Sequence, residues 1–386
     1  MSNSLDSAVR SLDWEQLESD TRYLTHGIHR YSGKFIPQIA GQTIDLVTAP
    51  GELVVDPYTG SGTALLEAAL RGRSSIGLDL NPLACLIARV KTTPVDPDDL
   101  DRFVDRVRIA ALECIRKPDQ PLPGLGMIGP ETWNAVTADA RWSDSWFVKW
   151  FPDDRRAELI AIDHLISAEA DPHLRSVGLL ALSDVLRRSS MANTSYPNVM
   201  YDRRKAPPQA LPPRFVRRLD EIASAVRDLE AKIPPEHVPE VLDASACAIP
   251  LADESAHAVV THPPYIGSIP YAEYGALSLR LLGHNPKDID ELLTGGRRQT
   301  RDVVQRFEHD FDRMIAESAR ILRPERYLVM LLGSPTVKGT LIDLPAMALR
   351  LAKSHGLRLD ARVERRGGNR RANLMAEESL LFLRKA

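Results

Sequence analysis

Glu52-Leu-Val-Val-Asp56 runs directly into Pro57-Tyr-Thr-Gly-Ser-Gly62 and then Thr63-Ala-Leu-Leu-Glu-Ala-Ala-Leu-Arg-Gly72. The first piece is a short apolar run ending in an acid, which reads as a buried strand. The second is a glycine turn. The third has helical composition, with Gly72 as its stop. Ser75-Ile-Gly-Leu-Asp79 follows as a second strand, again ending in an acid, and Asn81 caps a further helix that runs to about Lys91. Strand, turn, helix, strand, turn, helix is the grammar of a doubly wound parallel sheet.

Working outward, that grammar stops near residue 95 and resumes near 240. The stretch between reads as mostly helical, with helices at 98–116, 155–168, 174–188 and 213–232. The later strands are Glu240–Asp243, Ala256–Thr261, Tyr327–Gly333, Arg358–Arg366 and Ser379–Arg384, with helices at 303–322 and 341–355. This gives seven strands. The last two are joined by a loop without a crossover helix, so they must run antiparallel to each other. The expected fold is therefore α/β: a Rossmann-like, mostly parallel seven-stranded sheet with an antiparallel last strand, plus a helical insertion. Three units follow: residues 1–94, 95–238 and 239–386. Residues 1–25 read as a loose arm or a short helix.

The length of 386 residues fits two structural units, or one large domain with an insertion. With 44% hydrophobic and 26% charged residues the chain can bury a sizeable core. A net charge of -3 excludes a protein that coats polyanions over its whole surface, but a local basic groove is compatible with it. Three cysteines without a CxxC pair argue against a zinc knuckle, a disulfide scaffold or an iron–sulfur site, and fit a reducing cytoplasm. No apolar run approaches the roughly 18 residues of a membrane span, and the N-terminus has no signal-peptide pattern. The histidines form no metal pattern, so no metal is expected.

Two constellations carry chemistry. In Asp56-Pro-Tyr-Thr-Gly-Ser-Gly-Thr63 the glycines allow backbone to approach a ligand, and the following helix offers free N–H groups. The stretch lacks the GK[ST] of a P-loop, so phosphate capture by lysine is not expected. Asp79 ends the next strand, where an acid usually takes ribose hydroxyls. Together they point to an adenosine-type ligand. The second is Thr261-His-Pro-Pro-Tyr265 after an Ala/Val-rich strand. Two prolines fix φ and remove two donors, leaving a stiff rim of carbonyl acceptors suited to a flat substrate that carries an NH2 group.

These motifs resemble the S-adenosylmethionine-dependent DNA amino-methyltransferases, which modify N4 of cytosine or N6 of adenine. The resemblance covers residues 26–92 and 240–384. His29-Arg-Tyr-Ser-Gly-Lys-Phe-Ile-Pro37 is similar to the family's additional cofactor segment, and Asp243-Ala244 to the segment that touches the cofactor adenine. It implies S-adenosylmethionine as cofactor. It implies a cofactor pocket drawn from Tyr31, Lys34, Phe35, Asp56, Tyr58, Gly60, Gly62, Thr63, Asp79, Asn81, Asp243 and Ala244. It also implies a target-base pocket of His262, Pro263, Pro264 and Tyr265, with Tyr265 stacked on a flipped base. His262 departs from the usual Ser, Asp or Asn at the first tetrad position. A neutral imidazole can accept one amine hydrogen, and it can also take up a proton.

The stretch Tyr265–Tyr274 is similar to members with Ser-Pro-Pro-Tyr, which favours cytosine N4. Adenine N6, an RNA base, and a non-catalytic cofactor-binding subunit stay open as alternatives. The partner implied is DNA, with RNA not excluded, in a restriction or defence setting with cognate proteins. The oligomeric state is not legible. Nucleic-acid contact is expected from Arg203, Arg204 and Lys205 and from Arg297, Arg298 and Arg301. Arg214, Arg217 and Arg218 read equally as a solvated helix face, and Arg365–Arg371 as a hairpin able to reach a phosphate. Residues 95–238 are expected to include the recognition region.

Overall fold

A computed structural model describes residues 2–12, 14, 20–113, 140–196, 198–206, 208–266, 269–294, 302–366 and 377–386. Its seven-stranded sheet is built from β1 (Leu53–Asp56), β2 (Ser74–Asp79), β3 (Glu240–Asp243), β4 (Ala256–Thr261), β5 (Leu322–Gly333), β8 (Leu357–Arg366) and β9 (Glu377–Lys385). A separate two-stranded ribbon pairs β6 (Thr336–Val337) with β7 (Thr340–Leu341). The order across the large sheet is β3-β2-β1-β4-β5-β9-β8. Every neighbouring pair is parallel except β5/β9 and β9/β8. The last strand thus slots between β5 and β8 and runs against both. The Rossmann-like reading with an antiparallel last strand holds.

Order of connection fixes where a ligand can sit. From β1 the chain steps outward through β2 to β3, then returns to the other side of β1 as β4. The β1/β4 boundary is therefore the switch point, and the crevice outside its carboxyl ends is where open α/β sheets bind ligands. Asp56 ends β1 and Thr261 ends β4, so both chemical motifs arrive at this one edge.

The strands obey period-two burial. Val54, Val260 and Val329 face a cluster with Ile39 and Ile44 of the helix Pro37–Val47, and with Val9 of the helix Ser2–Ser11. Val55, Val259 and Met330 face the opposite cluster with Phe311, Met314 and Ile315 of the helix Val303–Ile321. The central strands β1 and β4 and the apolar half of β5 are buried on both sides, as a parallel sheet requires.

Helices occupy Pro97–Glu113, Asp153–Ser167, Pro172–Ser189 and Leu211–Glu230, within a few residues of the positions their periodicity predicts. Their core includes Leu86, Ile87 and Val90 of the helix Pro82–Thr92, and Leu277, Leu279 and Leu281 beyond the tetrad. The inserted helices therefore pack as a continuation of the domain. The helix Ser2–Ser11 is the short helix expected within residues 1–25. The helix Pro37–Val47 sits where no helix was expected, and β5 starts at Leu322, five residues before its apolar run. Leu322 pairs with Ala256 and the ladder resumes at Tyr327 opposite Ala258; residues 323–326 bulge between these pairs, with Glu325 at φ 63°. Polarity and a proline mask that extension in the sequence. Among the described residues no helix is long and apolar enough to cross a membrane.

Candidate active site

The turn after β1 is shaped by two left-handed glycines. Gly60 has φ 49° and Gly62 φ 74°. A Cβ on Gly60 would lie 3.2 Å from the Tyr31 ring, and one on Gly62 would lie 2.9 Å from Ala88 Cβ. Both positions need glycine for conformation and for close approach. Asp79 closes the turn from β2: its carboxylate accepts from the Gly60 amide at 3.0 Å and the Asn81 amide at 2.8 Å. Asn81 caps the helix Pro82–Thr92 by accepting from the Leu83 amide. Burial pushes the Asp79 carboxyl up to about 6 against these amide bonds.

Asp56 joins the two motifs. Its Oδ1 accepts from the Tyr58 amide at 3.1 Å and from the Thr261 hydroxyl at 2.6 Å. Burial pushes it up to about 7. Thr261, read from sequence as a strand residue only, is the link between the cofactor turn and the tetrad. Its hydroxyl at a strand end was the available signal.

A cleft holding about 590 Å³ of open space lies over this edge. Tyr31, Tyr58, Gly60, Asp79 and Ala244 line its cofactor side, and His262 and Pro264 its tetrad side. Three residues that sequence reasoning did not single out also line it: Ser245, Tyr271 and Thr294. Tyr271 stacks on Tyr31 at 5.8 Å, and the Tyr58 hydroxyl donates to Thr294 at 3.2 Å. Tyr271 lies within the stretch that resembles the family, so its aromatic character was the missed clue.

Other expected pocket residues sit differently. Phe35 is buried and tilted against the His262 ring at 5.6 Å, and Gly62 and Thr63 support the turn from beneath. Asp243 ends β3 with its side chain 64% exposed and paired to Arg89 at 2.7 Å, which turns the carboxylate toward that arginine. Lys34 donates to the carbonyls of His26 and His29, pinning the 26–34 turn, and burial lowers it to about 8. Both charged side chains thus have protein partners, Asp243 in Arg89 and Lys34 in two backbone carbonyls.

In the tetrad, Tyr265 is only 5% exposed and meets His262 edge-on at 5.2 Å. Its ring does not line the cleft, whose aromatic walls are Tyr31, Tyr58 and Tyr271. His262 Nε2 lies 2.6 Å from the Tyr265 hydroxyl. Burial lowers the His262 pKa, so the ring is neutral at neutral pH. Pro263 is buried and Pro264 half-buried.

Beyond Tyr31 a wider basic cleft opens, with about 2240 Å³ of space. Three segments carry its arginines: residues 21–34, the C-terminal turn of the helix Pro172–Ser189, and the start of the helix Leu211–Glu230. Arg22, Arg30, Arg188 and Arg217 are exposed there. Arg218 is tied to Asp184 and Glu221. Lys205, expected as a phosphate contact, lines the cleft and donates to the carbonyls of Arg187, Ser190 and Ala192. Arg203 and Arg204 are exposed nearby. Arg297, Arg298 and Arg301 lie outside the described residues. Arg365, expected at a hairpin tip, has its side chain 1% exposed against Glu378, because it sits directly across from that residue in the β8/β9 ladder.

A protein-family model described as DNA methylase (N6_N4_Mtase) matches residues 12–90. The type II methyltransferase M.MvaI of Kocuria varians is 24% identical over 390 residues, covering 85% of this chain and 80% of that protein. M.MjaII of Methanocaldococcus jannaschii is 38% identical over 98 residues, covering 24% of this chain and 18% of that protein. M.BsoBI of Geobacillus stearothermophilus is 24% identical over 283 residues, 69% of this chain and 54% of that protein. The glycine turn, Asp56 and Asp79 stand within the matched residues 12–90, and these matches support the reading of an amino-methyltransferase of the N4/N6 family.

Proposed function

We propose that the protein methylates an exocyclic base amine in DNA, with cytosine N4 as the target and S-adenosylmethionine as the methyl source. The observation that carries this reading is the convergence at the β1/β4 edge. A glycine turn closed by Asp79 lies in one cleft with His262 and Pro264, and the Thr261–Asp56 bond ties the two halves. Cytosine is favoured over adenine by the residues that follow Tyr265, which are similar to the Ser-Pro-Pro-Tyr members.

The residues present fit the cofactor. The turn gives backbone close approach, and Asp79 is a buried carboxylate at the strand end where ribose hydroxyls are taken. When bound, S-adenosylmethionine supplies an electrophilic methyl on a sulfonium that leaves as a neutral thioether. The chain's own task is positioning. Pro263 and Pro264 donate no N–H, so the rim offers acceptors to an amine. Tyr271, stacked on Tyr31, gives the cleft an aromatic wall for a planar base. His262, kept neutral by burial, accepts an amine hydrogen and is placed to take the proton released once the new N–C bond has formed.

DNA phosphates fit the basic cleft, because Tyr31 lines both clefts and so joins them. Phosphate contacts there supply affinity and register while the base enters the tetrad cleft by flipping. The reading is tested with methyl-labelled cofactor on duplex DNA, single-stranded DNA and RNA, followed by nucleoside mass spectrometry. N4-methylcytosine from DNA is expected. N6-methyladenine or a labelled RNA nucleoside replaces the substrate, and cofactor binding without any label overturns the enzymatic reading.

A further inference from the structure

Four side chains form a line at the catalytic edge. Arg365 Nη1 lies 2.5 Å from one oxygen of Glu378, and the Tyr265 hydroxyl lies 3.2 Å from the other. The same hydroxyl is 2.6 Å from His262 Nε2. Topology puts Glu378 there. Because β9 is antiparallel, it begins where the parallel strands end, and its second residue pairs with Gly333 at the end of β5 and with Arg365 near the end of β8. Glu378 lies outside the cofactor and target-base motifs.

Counting protons decides the direction of each bond. Glu378, ion-paired with buried Arg365, accepts through both oxygens. The tyrosine has a single hydroxyl hydrogen, and it goes to Glu378. The phenolic oxygen is then the acceptor for His262, so Nε2 carries the imidazole proton. A neutral ring with Nε2–H has its lone pair on Nδ1. His262 Nδ1 is buried and has no hydrogen-bond partner among the described residues. A buried acceptor without a partner carries a desolvation cost that a donor from a substrate would relieve. The charged groups acting on His262 are Glu378, which favours the protonated ring, and Arg365, which opposes it, while burial dominates both.

We propose that Glu378, held by Arg365, is a positioning residue that acts through the Tyr265 hydroxyl to fix His262 in the Nε2–H tautomer, leaving Nδ1 as the acceptor for an amine hydrogen of the target base. The assignment of that hydrogen rests on the exocyclic-amine reading; the tautomer does not. Without an acceptor at position 378 the tyrosine hydrogen turns to Nε2, the imidazole proton moves to Nδ1, and a donor meets a donor. The logic is that of a carboxylate that sets the tautomer of a catalytic histidine, here relayed through a phenol.

The test is nitrogen-15 NMR of histidine-labelled full-length protein without substrate, with His262→Gln to assign the ring signals. Wild type is expected to show a protonated Nε2 and an unprotonated Nδ1. Glu378→Leu should move proton population to Nδ1, and so should the isosteric Glu378→Gln, whose one amide oxygen is taken by Arg365 so that its NH2 donor faces the tyrosine hydroxyl. In turnover, Glu378→Leu should lower kcat about 10-fold to 100-fold, the usual loss for a residue that orients a reacting group, with the KM for cofactor unchanged. An Nδ1–H signal in wild type overturns the proposal even if Glu378→Leu does not fold. An unchanged tautomer in a folded Glu378→Leu overturns it as well. The expected tautomers in a protein that methylates nothing would overturn the functional reading and leave the relay standing.

Discussion

The two clefts that meet at Tyr31 are built on opposite principles. The smaller one is assembled from strand ends and backbone: amides of the glycine turn, carboxylates at the ends of β1 and β2, and the tetrad rim after β4. Its ionisable groups are buried and shifted, with Asp56 and Asp79 both raised and His262 lowered. The larger cleft is assembled from arginines on three segments far apart in sequence. Its half-buried lysines, Lys34 and Lys205, donate to carbonyls, and its exposed arginines face solvent. A site that must discriminate a small ligand is made of fixed dipoles at one sheet edge, whereas a surface that meets a phosphate chain can be made of dispersed charge.

That contrast can be broken in the larger cleft first. Replacing Arg22, Arg30 and Arg188 together with alanine removes exposed cations without touching the sheet edge. If each meets one phosphate, the slope of log affinity against log salt should fall by about 0.9 per residue, and duplex affinity in 0.1 M salt should drop about 100-fold or more. Filter binding across a salt series reads this, with cofactor affinity as the control. A parallel offset with the slope intact would mean that this cleft does not carry the duplex.

Gly62→Ala strikes the small cleft. The new Cβ would lie 2.9 Å from Ala88 Cβ and 3.0 Å from Ala88 Cα, at a φ of 74°. Strain of about 1–3 kcal/mol is expected, with cofactor affinity down by about 10-fold to 100-fold in calorimetry. Duplex affinity through the arginines should be retained.

Asp79→Asn is gentler, because the amide oxygen still accepts from backbone. About tenfold weaker cofactor binding is expected, together with a changed pH dependence. The wild-type carboxyl titrates at about 6 in the folded protein, against about 3.9 for a free aspartate. Hydroxyl donors prefer the ionised form, so wild-type affinity should rise with pH through about 6, and the variant should lose that rise. The apo protein shows the opposite sign. Between pH about 4 and 6 its folded state keeps a proton that the unfolded chain has released, so stability falls as pH rises across that window. Asp79→Asn should remove that contribution, measured by denaturant midpoints.

Lys205→Met sharpens the comparison by its small effect on binding. Its ammonium satisfies three carbonyls, so a loss of about 1–3 kcal/mol of stability is expected, with no change in the salt slope. A reduced slope would return Lys205 to the phosphate contacts.

Contiguity decided what could be read from the sequence. The Asp56–Gly62 turn, Asp79, Asn81 and the tetrad are local patterns at strand ends, and the structure brings them to one edge. The sheet was legible because buried parallel strands are short apolar runs, although β5 hides the early pairing of Leu322 behind Arg323, Pro324, Glu325 and Arg326. Residues whose role depends on a distant partner were not legible. Lys34 and Lys205 look like ligand-binding cations until the carbonyls around them are known. Thr261 looks like strand filler until Asp56 is placed beside it. Arg365 looks like a hairpin charge until the ladder sets it across from Glu378. Tyr265 was assigned to the base by resemblance, whereas its hydroxyl is engaged by His262 and Glu378.

The most direct measurement is methyl transfer to duplex DNA by wild type and His262→Ala, with cofactor affinity determined on the same preparations. Wild type should place label on an exocyclic base amine. The variant should bind cofactor as wild type does and transfer at least about 100-fold more slowly, the scale of losing a positioned proton acceptor. Label transferred by the variant at the wild-type rate, or a wild type that binds cofactor and labels no base, would contradict the account.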